Sequence, residues 1–384
     1  MSAALPDFVT LFSSLVACPS VSCADPDYDM GNRKAAECLA GWLDDLGFAC
    51  RLQAVGGRED KVNLIATLGA GENGLVLAGH LDTVPCDEQG WHSDPFALSE
   101  RDRRYYGLGT ADMKGFLALA ADVARDYVGR ALHQPLVILA SADEECGMDG
   151  ARALCDAGIR PGAHCVIGEP TGLVPIRRHK GILMETIRVT GAAGHSSNPA
   201  FGINAIDGMH QVVGAVHALR DELAARAPSP GFPVPHATLN TGVIRGGDSP
   251  NRIPARCELE IDLRFLPGSN IDDLRGELRR RAAAALADSA CALEFEPLFV
   301  GTPALETDPS APLVGIAEQL TGAAAQAVDF GTEGAFYQAL GMETIILGPG
   351  DIAQAHQPNE YLAADRIAPM RRILHGLIRH FCLK

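Results

Sequence analysis

The stretch Leu75-Val-Leu-Ala-Gly-His-Leu-Asp-Thr-Val-Pro85 decides the fold and the chemistry that we predict for this chain of 384 residues. The apolar run 75–78 has the length and the glycine boundary of a buried β-strand. His80 and Asp82 follow it two residues apart, so in an extended chain both side chains point to the same side. A metal-binding histidine commonly donates its second ring N–H to a carboxylate. Taken alone, however, the pair is more typical of a buried histidine bonded to a strand-end aspartate, so a metal site depends on the rest of the chain.

The composition is that of a folded protein with enough residues for two domains. Hydrophobic residues make up 47% and charged residues 21% of the chain, and the formal net charge is −16. No long basic run is present, so we expect neither nucleic acid nor a membrane as a partner, because both are bound by clustered lysines and arginines. The eleven cysteines are scattered and never spaced Cys-x-x-Cys, which indicates reduced thiols in a cytoplasmic protein.

Strands and helices alternate over the first part of the chain, and this pattern predicts an α/β fold with a mostly parallel central sheet covered by helices. From Gly181 the order changes to strand 182–190, helix 203–225, strands 236–244 and 257–266, helix 271–288 and strand 292–299. This βαββαβ order predicts a two-layer α+β unit. We therefore predict a catalytic domain of residues 1–180 and 300–384 with an inserted domain of residues 181–299.

Polar side chains follow the ends of several predicted strands and one glycine-rich loop. Parallel sheets place ligand sites at the carboxyl ends of their strands, so we expect these side chains to meet at one edge: His80, Asp82, Asp112, Asp143, Glu144, Glu145, Glu169 and His356. Clustered carboxylates repel one another unless a cation balances them, and Lys114 is the apparent basic residue nearby. Mixed imidazole and carboxylate ligands favour zinc, cobalt or manganese.

Each of these residues also has an explanation that involves no metal. Asp112 would cap a helix, and Glu144 with Glu145 would offset the dipole at a helix start. Glu169 would lie in a solvated loop, and His356 would be a surface histidine. Together these explanations require five coincidences at five strand or loop ends, so the pattern favours a metal centre.

The motifs resemble, over essentially the whole chain, those of the co-catalytic dizinc aminoacylase and carboxypeptidase family. The matching segments are Gly79-His-Leu-Asp-Thr-Val-Pro85, Gly109-Thr-Ala-Asp-Met-Lys-Gly115, Ala142-Asp-Glu-Glu145 and Gly168-Glu-Pro-Thr171. The segment Leu347-Gly-Pro-Gly-Asp-Ile-Ala-Gln-Ala-His-Gln-Pro-Asn-Glu-Tyr361 is similar to the deacetylase branch that acts on acetylated ornithine, as are His179-Lys-Gly181, Gly194-His-Ser-Ser-Asn-Pro199 and Gly331-Thr-Glu-Gly334.

The resemblance implies two divalent metal ions, Zn²⁺ with Co²⁺ as a substitute, and a role for each residue of the cluster. Asp112 would bridge the two ions. His80 and Glu169 would complete one site, and Glu145 with His356 the other. Asp82 would orient His80, and Glu144 would be the general base that activates a metal-bridging water.

The implied reaction is the hydrolysis of N2-acetyl-L-ornithine to L-ornithine and acetate in arginine biosynthesis. An N-succinyl-diaminopimelate or a general N-acyl amino acid stays open as the alternative substrate. The resemblance also implies a homodimer formed through residues 181–299, in which His195 reaches the active site of the partner subunit and stabilises the oxyanion. Asn251 and Arg264 correspond to positions that bind the substrate carboxylate.

Two readings from other functional classes compete with this one. Gly107-Leu-Gly-Thr-Ala-Asp112 begins like a dinucleotide-binding loop, but Asp112 replaces the third glycine and would repel a pyrophosphate at the helix start. A metal-holding or peptide-binding relative without activity would be expected to lack the base or a ligand, and here Glu144 and every candidate ligand are present.

Overall fold

The chain forms two units in the computed structural model, which describes residues 6–86 and 88–383. The sheet unit consists of Met1–Arg177, Thr307–Gln326 and Thr332–Lys384. The inserted unit consists of Arg178–Glu306 and Ala327–Gly331.

The regular elements follow in chain order, beginning with those that precede the inserted unit or lead into it: α1 Phe8–Val16, α2 Arg33–Asp45, β1 Ala49–Val55, β2 Arg58–Leu68, β3 Leu75–His80, β4 Ser99–Arg101, β5 Arg104–Tyr106, α3 Lys114–Ala124, β6 Leu136–Ser141, α4 Asp149–Asp156, β7 His164–Ile167 and β8 Ile176–His179. The inserted unit contributes β9 Gly181–Thr190, β10 Gly194–His195, α5 Ala205–Ala224, β11 Thr238–Gly246, β12 Arg252–Ile253, β13 Arg256–Phe265, α6 Ile271–Ala285, β14 Ala292–Pro297 and β15 Leu305–Glu306. The chain ends with α7 Pro312–Thr321, β16 Gln326–Val328, α8 Gly334–Ala339, β17 Glu343–Ile346, β18 Tyr361–Ala363 and α9 Ile367–Cys382.

The large sheet of the sheet unit has the strand order β1-β2-β6-β3-β7-β17. Strand β3 is parallel to β6 and β7, and β17 is parallel to β7. All side chains of β3 and β6 are buried, as expected for strands covered on both faces. The α/β class is confirmed, although the sheet is parallel only at its centre: β2 runs antiparallel to both β1 and β6. The β1–β2 connection is short and contains Gly56 and Gly57 at positive φ, a hairpin geometry that parallel strands do not allow.

The inserted unit is a four-stranded antiparallel sheet in the order β11-β13-β9-β14, against which α5 and α6 pack. Along β13 every second side chain is buried, which is the period expected of a strand with one face on a core. These buried side chains meet apolar residues of the two helices, including Met209, Val212, Leu219, Leu274 and Leu278. The predicted two-layer α+β architecture is therefore present.

Among the strands that were not predicted from the sequence, three short ones lie together. They form a separate small sheet in the order β18-β5-β4. Each has only three residues, which is too short for an alternating pattern to be visible. No helix within the described ranges is both long enough and apolar enough to cross a bilayer.

Candidate metal centre

The carboxyl ends of four parallel strands deliver most of the candidate ligands to one edge of the large sheet. Strand β3 ends with His80, while Glu144 and Glu145 follow β6 and Glu169 follows β7. The loop after β17 carries His356. Because these strands are parallel neighbours, their ends lie side by side, and the loops that follow them surround one site.

Asp112 presents its two carboxylate oxygens to two different histidines. Nε2 of His80 lies 3.1 Å from Oδ1 of Asp112, and Nε2 of His356 lies 3.6 Å from Oδ2. The N-cap of α3 is Met113. Asp112 is therefore not a helix cap, so that alternative is wrong, and its carboxylate is positioned between two potential ligand sets.

The remaining candidate ligands lie on either side of Asp112. Oε1 of Glu169 is 3.6 Å from Nε2 of His80, and Oε2 of Glu145 is 3.0 Å from Nε2 of His356. Glu169 is buried rather than solvated. The side chain of His356 is 54% exposed, yet its Nε2 is directed at a carboxylate.

Two groups of donor atoms are close enough to hold an ion. His80, Asp112 and Glu145 form one group, and His80, Glu144 and Glu169 form the other, each with its atoms within 4.8 Å of one another. The second group contains Glu144, the residue interpreted as a general base. Geometry alone thus allows Glu144 to act as a base or as a ligand, and the two roles predict different metal contents.

Burial and the closeness of several carboxylates shift the pKa values of the residues in this site. Burial raises the pKa of Glu144, Glu145 and Glu169, and neighbouring carboxylates raise it further. Burial alone would lower the pKa of His80, but its hydrogen bond to Asp112 and the charges of nearby carboxylates raise it well above its usual value. Protons on these groups would supply positive charge that divalent metals would otherwise provide. The donor set therefore fits two metal ions, with imidazole and carboxylate ligands as in zinc sites.

Asp82 contacts His80 and the backbone of Glu145, in a geometry that the sequence did not predict. The main-chain carbonyl of Asp82 accepts the hydrogen bond from Nδ1 of His80 at 2.9 Å, whereas its carboxylate oxygen Oδ1 lies 3.7 Å from the same nitrogen. The other oxygen, Oδ2, accepts the backbone N–H of Glu145 at 3.0 Å. The Asp82 carboxylate is thus placed to hold the loop that carries Glu145 as well as the ring of His80.

Replacing Asp82 with Asn is expected to weaken metal binding or activity by about 10–100-fold, the usual cost of losing a group that orients a ligand. The amide removes a negative charge beside His80 and places an N–H group where a carboxylate oxygen stood. Metal affinity measured by competition with a chelator and kcat/KM of the loaded protein test this expectation. Wild-type values for both quantities in a folded variant would contradict it.

Lys61 is a charged residue that sequence analysis missed. Its ammonium lies 2.5 Å from Oδ1 of Asp143 and 2.6 Å from Oδ1 of Asp29, and its side chain is only 6% exposed. Ser22 donates a further hydrogen bond to Asp143 at 2.8 Å. Asp143 directly precedes Glu144 and has a left-handed φ of 57°. Lys61 therefore fixes the turn from which both glutamates extend.

The predicted cation, Lys114, has a different role. It is fully buried, and its ammonium donates to the carbonyl of Cys18 at 2.8 Å. Burial lowers the pKa of Lys114 to about 8. The signal that would have identified Lys61 is its position in β2, where its side chain begins a run of buried residues.

We expect Lys61→Met to lower the free energy of unfolding by about 3–5 kcal/mol, because the buried carboxylate of Asp143 loses its cation and Asp29 keeps only the partly exposed Arg58. The midpoint of thermal unfolding of the metal-free protein measures this loss. Arg58→Met is the matched control: Arg58 contacts the same Asp29 at 2.5 Å, but its side chain is 46% exposed. An exposed pair contributes about 0–1 kcal/mol, so equal shifts for the two variants would contradict a special role for Lys61.

The three candidate residues of the inserted unit lie in two places. His195 is on β10, which pairs with β12, and the carbonyl of Asn251 accepts the N–H of Ser196 at 3.2 Å. His195 and Asn251 therefore share one short ribbon. Arg264 lies on β13, and its Nε donates to Asp262 at 2.8 Å.

The chain is similar to known proteins along its length. Residues 76–380 match the family described as Peptidase family M20/M25/M40. The chain is 49% identical over 383 residues to the acetylornithine deacetylase of Edwardsiella ictaluri (strain 93-146), with 100% of both chains covered.

Two solved structures share the fold at low sequence identity. One is the M20 family metallo-carboxypeptidase Sso-CP2 from Sulfolobus solfataricus, with 16% identity, a TM-score of 0.77, and coverage of 98% of this chain and 99% of that chain. The other is the dinuclear metal binding peptidase YXEP of Bacillus subtilis, with 17% identity, a TM-score of 0.67 and coverage of 96% of both chains.

Proposed function

The chain belongs to peptidase family M20/M25/M40, and from this premise we propose that it is a metal-dependent amidohydrolase that removes the acetyl group from N2-acetyl-L-ornithine. The substrate follows the relative that is 49% identical over its full length. The observation that carries the proposal is the carboxylate of Asp112, whose two oxygens face His80 and His356. In this role, Asp112, His80 and Glu169 would hold one ion, and Asp112, Glu145 and His356 would hold the other.

The side chains of the site would divide the chemistry among them. Bound divalent cations lower the pKa of a water from 15.7 to about 7 and polarise the amide carbonyl. Glu144 accepts the proton of the attacking water at a carboxylate oxygen and returns it to the nitrogen of the leaving amine. Lys61, through Asp143, holds the turn that aims Glu144. We propose Zn²⁺ as the resident metal, with Co²⁺ as a functional substitute.

A substrate panel tests the proposal. Metal-free protein is reconstituted with Zn²⁺ or Co²⁺ and assayed side by side on N2-acetyl-L-ornithine, N-succinyl-diaminopimelate and a neutral N-acetyl amino acid. We expect the highest kcat/KM on N2-acetyl-L-ornithine, with release of acetate and L-ornithine, as arginine biosynthesis requires. A preference for the succinylated substrate would replace the proposed substrate with the alternative one. Bound metal without hydrolysis of any of the three would contradict an enzymatic role.

We further propose a homodimer that forms through residues 181–299 and in which His195 acts in the site of the partner subunit. There it would stabilise negative charge on the carbonyl oxygen, a contact of the kind worth about 2.7–4 kcal/mol. Asn251 and Arg264 would bind the substrate carboxylate. Support comes from the family resemblance and from the exposure of His195.

Mixing two inactive variants tests the dimer. Glu144→Gln lacks the base and His195→Ala lacks the group acting in the partner's site, so a mixed dimer would contain one intact site. We expect activity to return on mixing if subunits exchange. A monomer in sedimentation that is nevertheless fully active would contradict the proposal.

We place the protein in the cytoplasm. All eleven cysteines are free thiols in the part of the chain that the structure describes. Unpaired cysteines in this number are typical of a reducing compartment.

A further inference from the structure

Glu360 holds the backbone of the loop that carries the bridging aspartate. Its side chain lies in the interior, and the residue is 2% exposed. Oε1 accepts the backbone N–H groups of Ala111 at 2.7 Å and of Asp112 at 3.0 Å, while Oε2 accepts that of Gly109 at 2.9 Å. Successive N–H groups that converge on one anion form a nest. One carboxylate thus fixes the peptide that presents the Asp112 side chain.

The main chain of Glu360 is itself fixed at both ends of the residue. Its carbonyl accepts the N–H of Gly107 at 3.1 Å. The next residue, Tyr361, begins β18 and pairs with Tyr106 of β5. Glu360 thus directly precedes a strand that pairs with β5, and its carbonyl binds the start of the loop that its side chain contacts again further along.

The same segment carries another candidate ligand and a second side chain that binds a neighbouring loop. His356 lies a few residues before Glu360, and Asn359 lies between them. The Asn359 side chain donates to the carbonyl of Gly90 at 3.0 Å and accepts the N–H of His92 at 2.8 Å. The loop that delivers His356 is thereby tied to its surroundings by side chains adjacent to it in sequence.

We propose that Glu360 is a positioning residue of the metal centre, which keeps the two oxygens of Asp112 directed at the two ligand sets and ties them to the segment that carries His356. The inference rests on the proposed metal centre and assigns to it a residue outside the ligand set. Both oxygens of the Glu360 side chain accept backbone N–H groups, so the carboxyl group serves here as an acceptor of hydrogen bonds. Glutamine at this position would keep one acceptor oxygen and turn an N–H₂ group toward a backbone donor.

The test is metal binding, measured independently of catalysis. Metal-free wild-type protein and Glu360→Gln are titrated with Co²⁺ by calorimetry, and the visible absorption of the bound Co²⁺ is recorded because it depends on ligand geometry. We expect two Co²⁺ ions for the wild type. For Glu360→Gln we expect at least one binding step to weaken by about 10–100-fold, the usual loss when a group supporting a ligand is removed, together with an altered absorption spectrum.

Two further variants separate positioning from general stability. Glu343→Gln is the matched control, because Glu343 also accepts a backbone N–H, that of Leu313 at 3.3 Å, and a bond from His164 at 3.0 Å. It stands at the start of β17, away from the strand ends that carry the ligands, so we expect wild-type Co²⁺ binding. Glu360→Asp keeps an acceptor-only carboxylate with a shorter stem, and we expect a smaller loss than for glutamine.

The outcomes distinguish the inference from the proposed function. Wild-type affinity and spectrum in a folded Glu360→Gln protein would overturn the positioning role. If Glu360→Gln does not fold, Glu360→Asp decides: weakened Co²⁺ binding supports the role, and unchanged binding overturns it. A wild-type protein that binds no Co²⁺ would instead overturn the proposed metal centre, and the positioning role with it.

Discussion

Glu144→Gln is expected to lower kcat on N2-acetyl-L-ornithine by about 10²–10⁴-fold, the contribution typical of a general base, while the protein keeps both metals. Glutamine has nearly the shape of glutamate but cannot take a proton from water at neutral pH. Metal content by elemental analysis and kcat by acetate release are measured on the same preparation. Metal content and kcat are both needed because Glu144 lies in one of the two potential metal-binding groups.

The two roles of Glu144 give opposite metal contents. If Glu144 is the base, the inactive variant should still bind two ions. If Glu144 is a ligand, its replacement should remove one ion. Loss of a metal in a folded Glu144→Gln protein would therefore contradict the assignment as base. Asp149→Asn serves as control: it changes a carboxylate on the same connection, but Asp149 begins α4, pairs with Arg152 and is 45% exposed. We expect nearly wild-type kcat for this variant.

Asp112→Asn is expected to lose tight binding of both metals and to reduce kcat/KM by about 10³-fold or more. Each oxygen of Asp112 faces a different histidine, so one substitution removes negative charge from both ligand sets. Metal catalysis supplies several kcal/mol of transition-state stabilisation, and each 1.36 kcal/mol changes the rate tenfold. Titration of the metal-free protein with Zn²⁺ gives the number of ions, and the assay at saturating metal gives the rate.

Asp102→Asn is the matched control for this experiment. Asp102 lies in the β4–β5 turn, its side chain is 81% exposed, and its left-handed φ of 52° is one that asparagine adopts readily. We expect unchanged metal binding and activity. If Asp112→Asn bound two ions as tightly as the wild type, the bridging role of Asp112 would be refuted.

The sequence predicted the elements whose side chains repeat with a clear period. The apolar run 75–78 lies in β3, and the strand predicted at 257–266 is β13, with every second side chain buried. The candidate ligands could be grouped because each follows a strand, and parallel strands bring their ends together. Local pattern and topology were sufficient for these features.

Other features depend on contacts that join distant parts of the chain. Lys61 meets Asp29 and Asp143 only after β2 has paired with β6, and no spacing rule relates these positions. Glu360 stood in a motif that was recognised, but its partners at 109–112 become visible only when β18 pairs with β5. The antiparallel edge of the large sheet likewise follows from a short hairpin connection rather than from periodicity.

The strand order of the large sheet also determines how the metal centre is assembled during folding. Strand β3 pairs with β6 and β7, which follow it much later in the chain, and the loop carrying His356 follows only after β17 has joined β7. Contacts of such high sequence separation form slowly, because a long loop must close before they are made. The candidate ligands are far apart in the unfolded chain, so metal ions that bind the native site would stabilise the completed sheet by mass action. Refolding of this protein should therefore be limited by strand pairing, with the capture of metal as its last step.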